Sequence, residues 1–170
     1  MARIRRLTVL VLWVFFLWIH STGAESRPTW FSNCQITEPN GTAPPGGLTD
    51  PNMLGNGSLW VRLWDEGTVF FKKGGSGKIF SDGSMQMKFP WWRAAQGKLS
   101  IEGRRLDADA PPLSAKIPLG YGEIGFQASG ILFPTEGCWE VTGKVGNASL
   151  TFVTRVIRIE EQRESDLSAP

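Results

Sequence analysis

Histidine is nearly missing from this chain. Its single histidine is His20, and His20 lies inside an N-terminal stretch that reads as a removable leader. A chain without it has no imidazole that titrates near neutral pH, which excludes Ser-His-Asp and Cys-His catalysis. Zinc and copper sites that lean on imidazole are excluded with them. Cysteine is scarce as well. Cys34 and Cys138 are the only two in 170 residues, too few for a Cys/His zinc cluster. No long amphipathic helical pattern is visible, so the crossover helices of a parallel α/β fold are lacking. No fixed-period repeat occurs. No metal and no cofactor is expected.

Excess positive charge is also lacking once the leader is set aside. The chain opens "MARIRRLTVLVLWVFFLWIHSTGAES". Arg3, Arg5 and Arg6 make a basic start, and Leu7 to Ile19 is apolar apart from Thr8. Thr22, Gly23 and Ala24 then supply small residues suited to signal peptidase. This is the three-part layout of a secretory signal, assigned to residues 1–24. The apolar run is shorter than the roughly 20 residues a spanning helix needs. An uncleaved anchor is the alternative, and membrane contact would then run through this segment alone. Cys34 lies too far downstream to carry a lipid. The whole chain has 18 Lys and Arg against 16 Asp and Glu; removing three arginines leaves 15 against 16. Nothing in that balance favours nucleic acid, which needs concentrated positive charge. The expected location is secreted, periplasmic or in the cell envelope.

Residues 25–55 are rich in Pro, Gly, Asn and Thr without a sustained period, and read as an extended arm or loop. From residue 56 the pattern turns to β. "GSLWVRLW" alternates, "TVFFKK" continues, and Asp82-Gly83 signals a hairpin. Met85, Met87 and Phe89 share one strand face, with Ser84, Gln86 and Lys88 on the other. "PWWRAAQG" reads as a short helical turn or a loop. Further on, Leu99 and Ile101, then Leu113, Ala115 and Ile117, each make an apolar face. Ile124, Phe126, Ala128, Gly130 and Leu132 line one side of the next strand. "CWEVTG" and "SLTFVTRVI" form a last hairpin around "KVGNA", with Trp139 and Val141 pointing inward. Residues 160–170 read as a disordered tail. About seven to nine short strands with glycine-rich turns predict an all-β fold, a single antiparallel β-sandwich over 56–159. A small closed barrel is the second choice.

"GILFPTEGCWEVTGKVGNASLTFVTRVI", residues 130–157, resembles the end of a bacterial immunoglobulin-like domain. In such domains a Pro- and Gly-bearing turn leads into an aromatic strand, a short hairpin and a β-branched strand. "KFPWWR" and "GYGEIGFQASG" look like uncharacterised secreted bacterial proteins. The resemblance implies an immunoglobulin-like fold and an exported location, not an activity. One departure stands out. Immunoglobulin domains pair cysteines at a shorter spacing; here they lie 104 residues apart.

Two cysteines in an exported chain point to a Cys34–Cys138 disulfide, with free thiols as the alternative. Cys138 makes a poor nucleophile, since no histidine activates it and Glu136 and Glu140 flank it. Six tryptophans follow the leader: Trp30, Trp60, Trp64, Trp91, Trp92 and Trp139. Core packing accounts for most of them. A sugar platform is the other use, and Trp91, Trp92 and Arg93 are the candidate ligand-binding residues. Neighbours on a strand point opposite ways, so at most one of Trp91 and Trp92 can join such a platform.

The acids Asp65, Glu66, Asp107, Asp109, Glu123, Glu136 and Glu140 are scattered. A glycosidase would need two of them to converge. "LDADAPP" has part of the spacing of a calcium loop, without the rest of the pattern. "GGSGK" lacks the phosphate-loop spacing and reads as a turn. Met85 and Met87 suit an apolar face better than a Cu(I) site. Asn40, Asn56 and Asn147 sit in N-x-S/T sequons. These are ordinary turn residues in a bacterium and glycan sites in a eukaryotic secretory pathway. The expectation is therefore a non-catalytic exported domain with a structural or interaction role. Its partner would be a protein or a glycan at the cell envelope. A carbohydrate-binding module is the alternative.

Overall fold

The computed structural model describes residues 34–47 and 49–159. The leader, Trp30 and the tail lie outside the described residues. Among the described residues ten strands follow in order: β1 (Met53–Gly55), β2 (Leu59–Arg62), β3 (Thr68–Phe71), β4 (Lys78–Ile79), β5 (Met85–Arg93), β6 (Ser100–Arg105), β7 (Ser114–Lys116), β8 (Gly125–Phe133), β9 (Gly137–Val145) and β10 (Ala148–Arg158). The larger sheet has the order β1-β2-β5-β8-β7, with β4 also paired to β5; the smaller is β3-β10-β9-β6. The two pack face to face as a β-sandwich.

All pairs are antiparallel but one. β3 runs parallel to β10, with Val69 opposite Val156. No hairpin joins these distant strands, so nothing forces them to run in opposite directions. At Val153 the arm takes over this edge of β10. Thr37 donates its N–H to the Val153 carbonyl at 3.0 Å, and its Oγ1 accepts from the Val153 N–H at 2.9 Å.

Strand alternation puts one set of side chains between the sheets. Leu59, Val61, Phe71, Met85, Met87, Phe89, Ile131, Trp139, Val141 and Phe152 are buried there. Aromatic contacts bridge the layers: Phe89 to Phe152 at 5.6 Å, Trp91 to Phe152 at 6.1 Å and Phe133 to Trp139 at 5.7 Å. β8 and β9 belong to different sheets, so Pro134 to Glu136 carry the chain across the sandwich. The Trp139 indole nitrogen closes this crossing by donating to the Thr135 carbonyl at 3.1 Å.

Three local expectations change. "PWWR" is not a helical turn or loop; it completes the nine-residue strand β5. A proline inside a central strand needs a reason. The Lys88 carbonyl accepts from the Trp64 indole on the side away from β8. Pro90, two residues on, faces that same side. There β4 has ended and the β2 ladder begins only at Trp91, so no N–H is needed.

The second change is in the arm. Met53–Gly55 forms β1, and the Asn40 side chain bonds the Gly55 carbonyl at 2.7 Å and its N–H at 3.1 Å. The sandwich thus starts at residue 53, not 56.

The third change is the face of β8. Phe126 is 42 % exposed and Ile124, just before the strand, 57 %, while Gln127, Ser129, Ile131 and Phe133 point inward. A shift of one residue exchanges the two faces of a strand. The inward polar groups are satisfied: Ser129 Oγ donates to the Phe89 carbonyl at 2.9 Å, and Gln127 Nε2 donates to the Pro118 and Ala128 carbonyls.

Cys34 and Cys138 are bonded, with Cα atoms 5.5 Å apart. β9 runs from this end of the sandwich to Val145 at the other. Asn40, Asn56 and Asn147 are all exposed. Asn56 Nδ2 donates to the Ser149 carbonyl at 2.7 Å, which joins the β1–β2 turn to the start of β10 at the end away from the disulfide. Among the described residues, no helix is long and apolar enough to cross a membrane.

Candidate functional site

Of the three candidate ligand residues, the structure keeps one on the surface. Trp91 is 1 % exposed and Arg93 3 %, so both are corrected to the core side of β5. The Trp91 ring lies so close over Gly143 of β9 that a Cβ there would overlap it. Arg93 is a brace. Its guanidinium donates to the carbonyls of Gly97, at 2.8 Å, and Gly122. One buried side chain thereby holds the β5–β6 and β7–β8 loops.

Trp92 points outward. Its register partners are Trp60 on β2 and Phe126 on β8. Its ring meets Phe126 edge to face at 5.9 Å, and Tyr121 extends the cluster at 5.7 Å from Phe126. Trp60 shares this outer face but is buried. Its ring lies over Gly55, beside Thr42 of the arm. The open part of the cluster is thus Trp92, Phe126 and Tyr121, with Leu119 and Ile124 exposed in the adjoining loop.

Farther along the same face lies an open cleft of about 210 Å³. Lys78, Gln86, Lys88, Lys116, Ala128 and Gly130 line it. Register explains the grouping. Lys78 opposes Gln86; Lys88 opposes Gly130, and Gly130 opposes Lys116. Gly130 therefore sits between two lysines on one row of the sheet. No carboxylate lines the cleft. Lys78 Nζ lies 4.5 Å from the centre of the Phe80 ring, a cation–π contact.

The smaller sheet shows the opposite arrangement. On its outer face Arg104 pairs with Glu140 at 3.0 Å, and Lys144 pairs with Glu102. No ion pair among the described residues involves Lys78, Lys88 or Lys116. The cleft lysines Lys78, Lys88 and Lys116 thus have no carboxylate partner among the described residues, whereas Arg104 and Lys144 on the smaller sheet do, as does Arg62 at the β2 end of the larger sheet.

Several of the acids are held singly by cations. Asp50 pairs with Arg62 at 2.6 Å and Asp107 with Arg105 at 2.7 Å. Asp65 and Glu66 border a second cleft of about 550 Å³ beside Phe70 and Lys72. A general acid relies on burial to raise its pKa. The Asp65 side chain is instead 84 % exposed, and Asn52 donates to it at 2.7 Å. Asp107 carries the counter-charge of Arg105, so "LDADAPP" does not present a free pair of carboxylates. Among the described residues, no three His, Cys, Asp or Glu side chains group as metal ligands.

Sequence reasoning missed Lys78, Lys116, Gly130, Tyr121 and the outward turn of Phe126. A signal existed. Gln86 and Lys88 already stood on the outer face of β5, and carrying period two onward gives Pro90 and Trp92. No protein-family model, no curated protein and no solved structure matches the chain.

Proposed function

We propose that this chain is a non-catalytic interaction domain that works outside the cytoplasm and binds its partner on the outer face of the larger sheet. The observation that carries this reading is the lysine cleft, lined by no carboxylate of the described residues, on the same face of the sheet as the open Trp92, Phe126 and Tyr121 rings. Charged residues on a solvated sheet usually occur with both signs interspersed, as they do on the smaller sheet. Exposed aromatics beside an uncompensated charge mark a recognition surface. The Cys34–Cys138 bond supports export, because disulfides persist in oxidising compartments.

The carbohydrate-binding reading has its own support, narrowed from Trp91 or Trp92 to Trp92. Flat rings at the surface suit the apolar faces of sugars, and Trp92 with Phe126 offers two. The test uses the full chain, expressed for export. Wild type and Trp92→Ala are compared for retention on immobilised cell-surface material. Both are also assayed on glycosides, esters and peptides. Retention that falls in the variant, with hydrolysis no faster than buffer, is the expected result. Equal retention, or turnover at enzyme-like rates, overturns the proposal.

A further inference from the structure

We infer that the outer face of the larger sheet takes an acidic polysaccharide. Its anionic groups seat between Lys88 and Lys116 against the Gln86 amide that covers Gly130, and a sugar ring lies against Trp92 and Phe126. This rests on the reading above that the face is a binding surface, and it names the ligand class.

The register supplies the geometry. Lys88, Pro90 and Trp92 follow one another on the outer side of β5; Gly130, Ala128 and Phe126 follow on β8. The lysine row and the aromatic row are four residues apart, about 13 Å along the strands. A single sugar ring does not bridge that distance; a chain of sugars does. Pro90 and Ala128, partners across the ladder, form the floor between the rows. The cleft is open, so it sets no limit on the length of the chain passing through.

The chemistry supplies the sign. Lys78, Lys88 and Lys116 are cationic, and the Gln86 amide is the other large polar side chain of the cleft. Its Nε2 stands 3.0 Å from where a Cβ on Gly130 would be, so the amide lies over the glycine with donors available to an anion. A neutral sugar would leave three ammonium groups unmatched. The carboxylate or sulfate of a repeat seated in the cleft meets them with charge-assisted hydrogen bonds. Aromatic rings at one end and cations at the other answer the two properties of such a polymer, apolar ring faces and regularly spaced anions.

Isothermal titration of the disulfide-bonded protein at low and physiological salt tests this. The probes are polygalacturonate for carboxylates, dextran sulfate for sulfates, neutral dextran, poly-glutamate, and phosphatidylglycerol vesicles. At least one acidic polysaccharide is expected to bind, more weakly as salt rises. Neutral dextran should bind at least about tenfold more weakly. Lys88→Gln combined with Lys116→Gln should lower the acidic affinity by about tenfold, and Trp92→Ala should lower it again. Lys144→Gln, a paired lysine on the other sheet, should leave it unchanged, and an unchanged Tm shows that each variant folds. The carboxylate and sulfate arms distinguish which anion is preferred.

Equal binding of neutral and acidic dextrans overturns the inference and leaves the binding surface standing. So does poly-glutamate or a vesicle that binds as tightly as the best polysaccharide. Acidic binding that ignores the lysine variants overturns it as well. If no probe binds, the inference falls; the binding-surface reading falls with it only if Trp92→Ala also leaves retention on cell-surface material unchanged.

Discussion

Trp92 and Phe126 are partners across the β5–β8 ladder, and their rings meet at 5.9 Å on the solvent side. One residue away on the same strands, Trp91 and Gln127 are partners on the inner side. Two adjacent tryptophans therefore have opposite duties. Trp91→Ala removes a fully buried indole and should cost about 3–5 kcal/mol of stability. Trp92→Ala removes a half-buried ring and should cost about 1 kcal/mol or less. Urea unfolding of the two variants separates them. A larger loss for Trp92 would mean that the strand faces are reversed.

Gly143 explains part of the Trp91 seat. It lies on β9, across the sandwich from β5, and the indole rests where a side chain would stand. Gly143→Ala should overpack this point and cost about 1–3 kcal/mol. Trp91→Phe, a smaller ring, should recover part of the loss in the double variant. Such a recovery appears as a coupling energy in a double-mutant cycle. Strictly additive losses would place the ring elsewhere.

The Cys34–Cys138 bond closes a loop of 104 residues, from the arm to the start of β9. By loop entropy such a link stabilises by about 4–5 kcal/mol, less any strain. The unreduced, denatured protein should show no reactive thiol. The double variant Cys34→Ser, Cys138→Ser should unfold at markedly lower denaturant with a steeper slope, because the released chain exposes more surface when unfolded. Two titratable thiols in the untreated protein would show that the arm is held without a covalent tie, through contacts such as those of Thr37, Asn40 and Gly41.

Much of this fold was legible because alternation reports directly on a half-buried strand. Met85, Met87 and Phe89, and later Trp139 and Val141, faced inward as their spacing predicted. The pairing of two lone cysteines was equally direct. What was hidden depends on partners distant in the chain. Gln127 and Ser129 face inward because the carbonyls of Pro118 and Phe89 are there to receive them. Phe126 is consequently turned out, against its hydrophobicity. Arg93 looked like a ligand residue because it stands next to Trp91 and Trp92; the carbonyls of Gly97 and Gly122 make its burial tolerable. The lysine cleft draws on β4, β5 and β7, and only the register brings them to one row. The parallel β3–β10 pair likewise has no local signature.

Beside the disulfide, Asp107 joins Arg105 in a pair that is largely shielded from solvent. Burial by itself would raise the Asp107 pKa. The Arg105 side-chain hydrogen bond, the Cys138 backbone N–H and the Arg105 charge outweigh it and hold the carboxyl below its ordinary range. Asp50 shifts the same way, chiefly through the Asn52 N–H, against a burial effect and with help from Arg62. The sign follows from proton uptake. As pH falls, the unfolded chain binds protons first, near the ordinary aspartate value of about 3.9. The stabilisation is complete above that value and is lost as pH falls through the lower folded value. Thermal unfolding from pH 6 down to pH 2 should therefore show Tm dropping most steeply below about pH 4. Asp107→Asn should have a lower Tm at pH 6, because it leaves Arg105 without its counter-charge, and a shallower decline in acid. Parallel Tm curves for the two proteins would show that the Arg105–Asp107 pair contributes nothing to acid sensitivity.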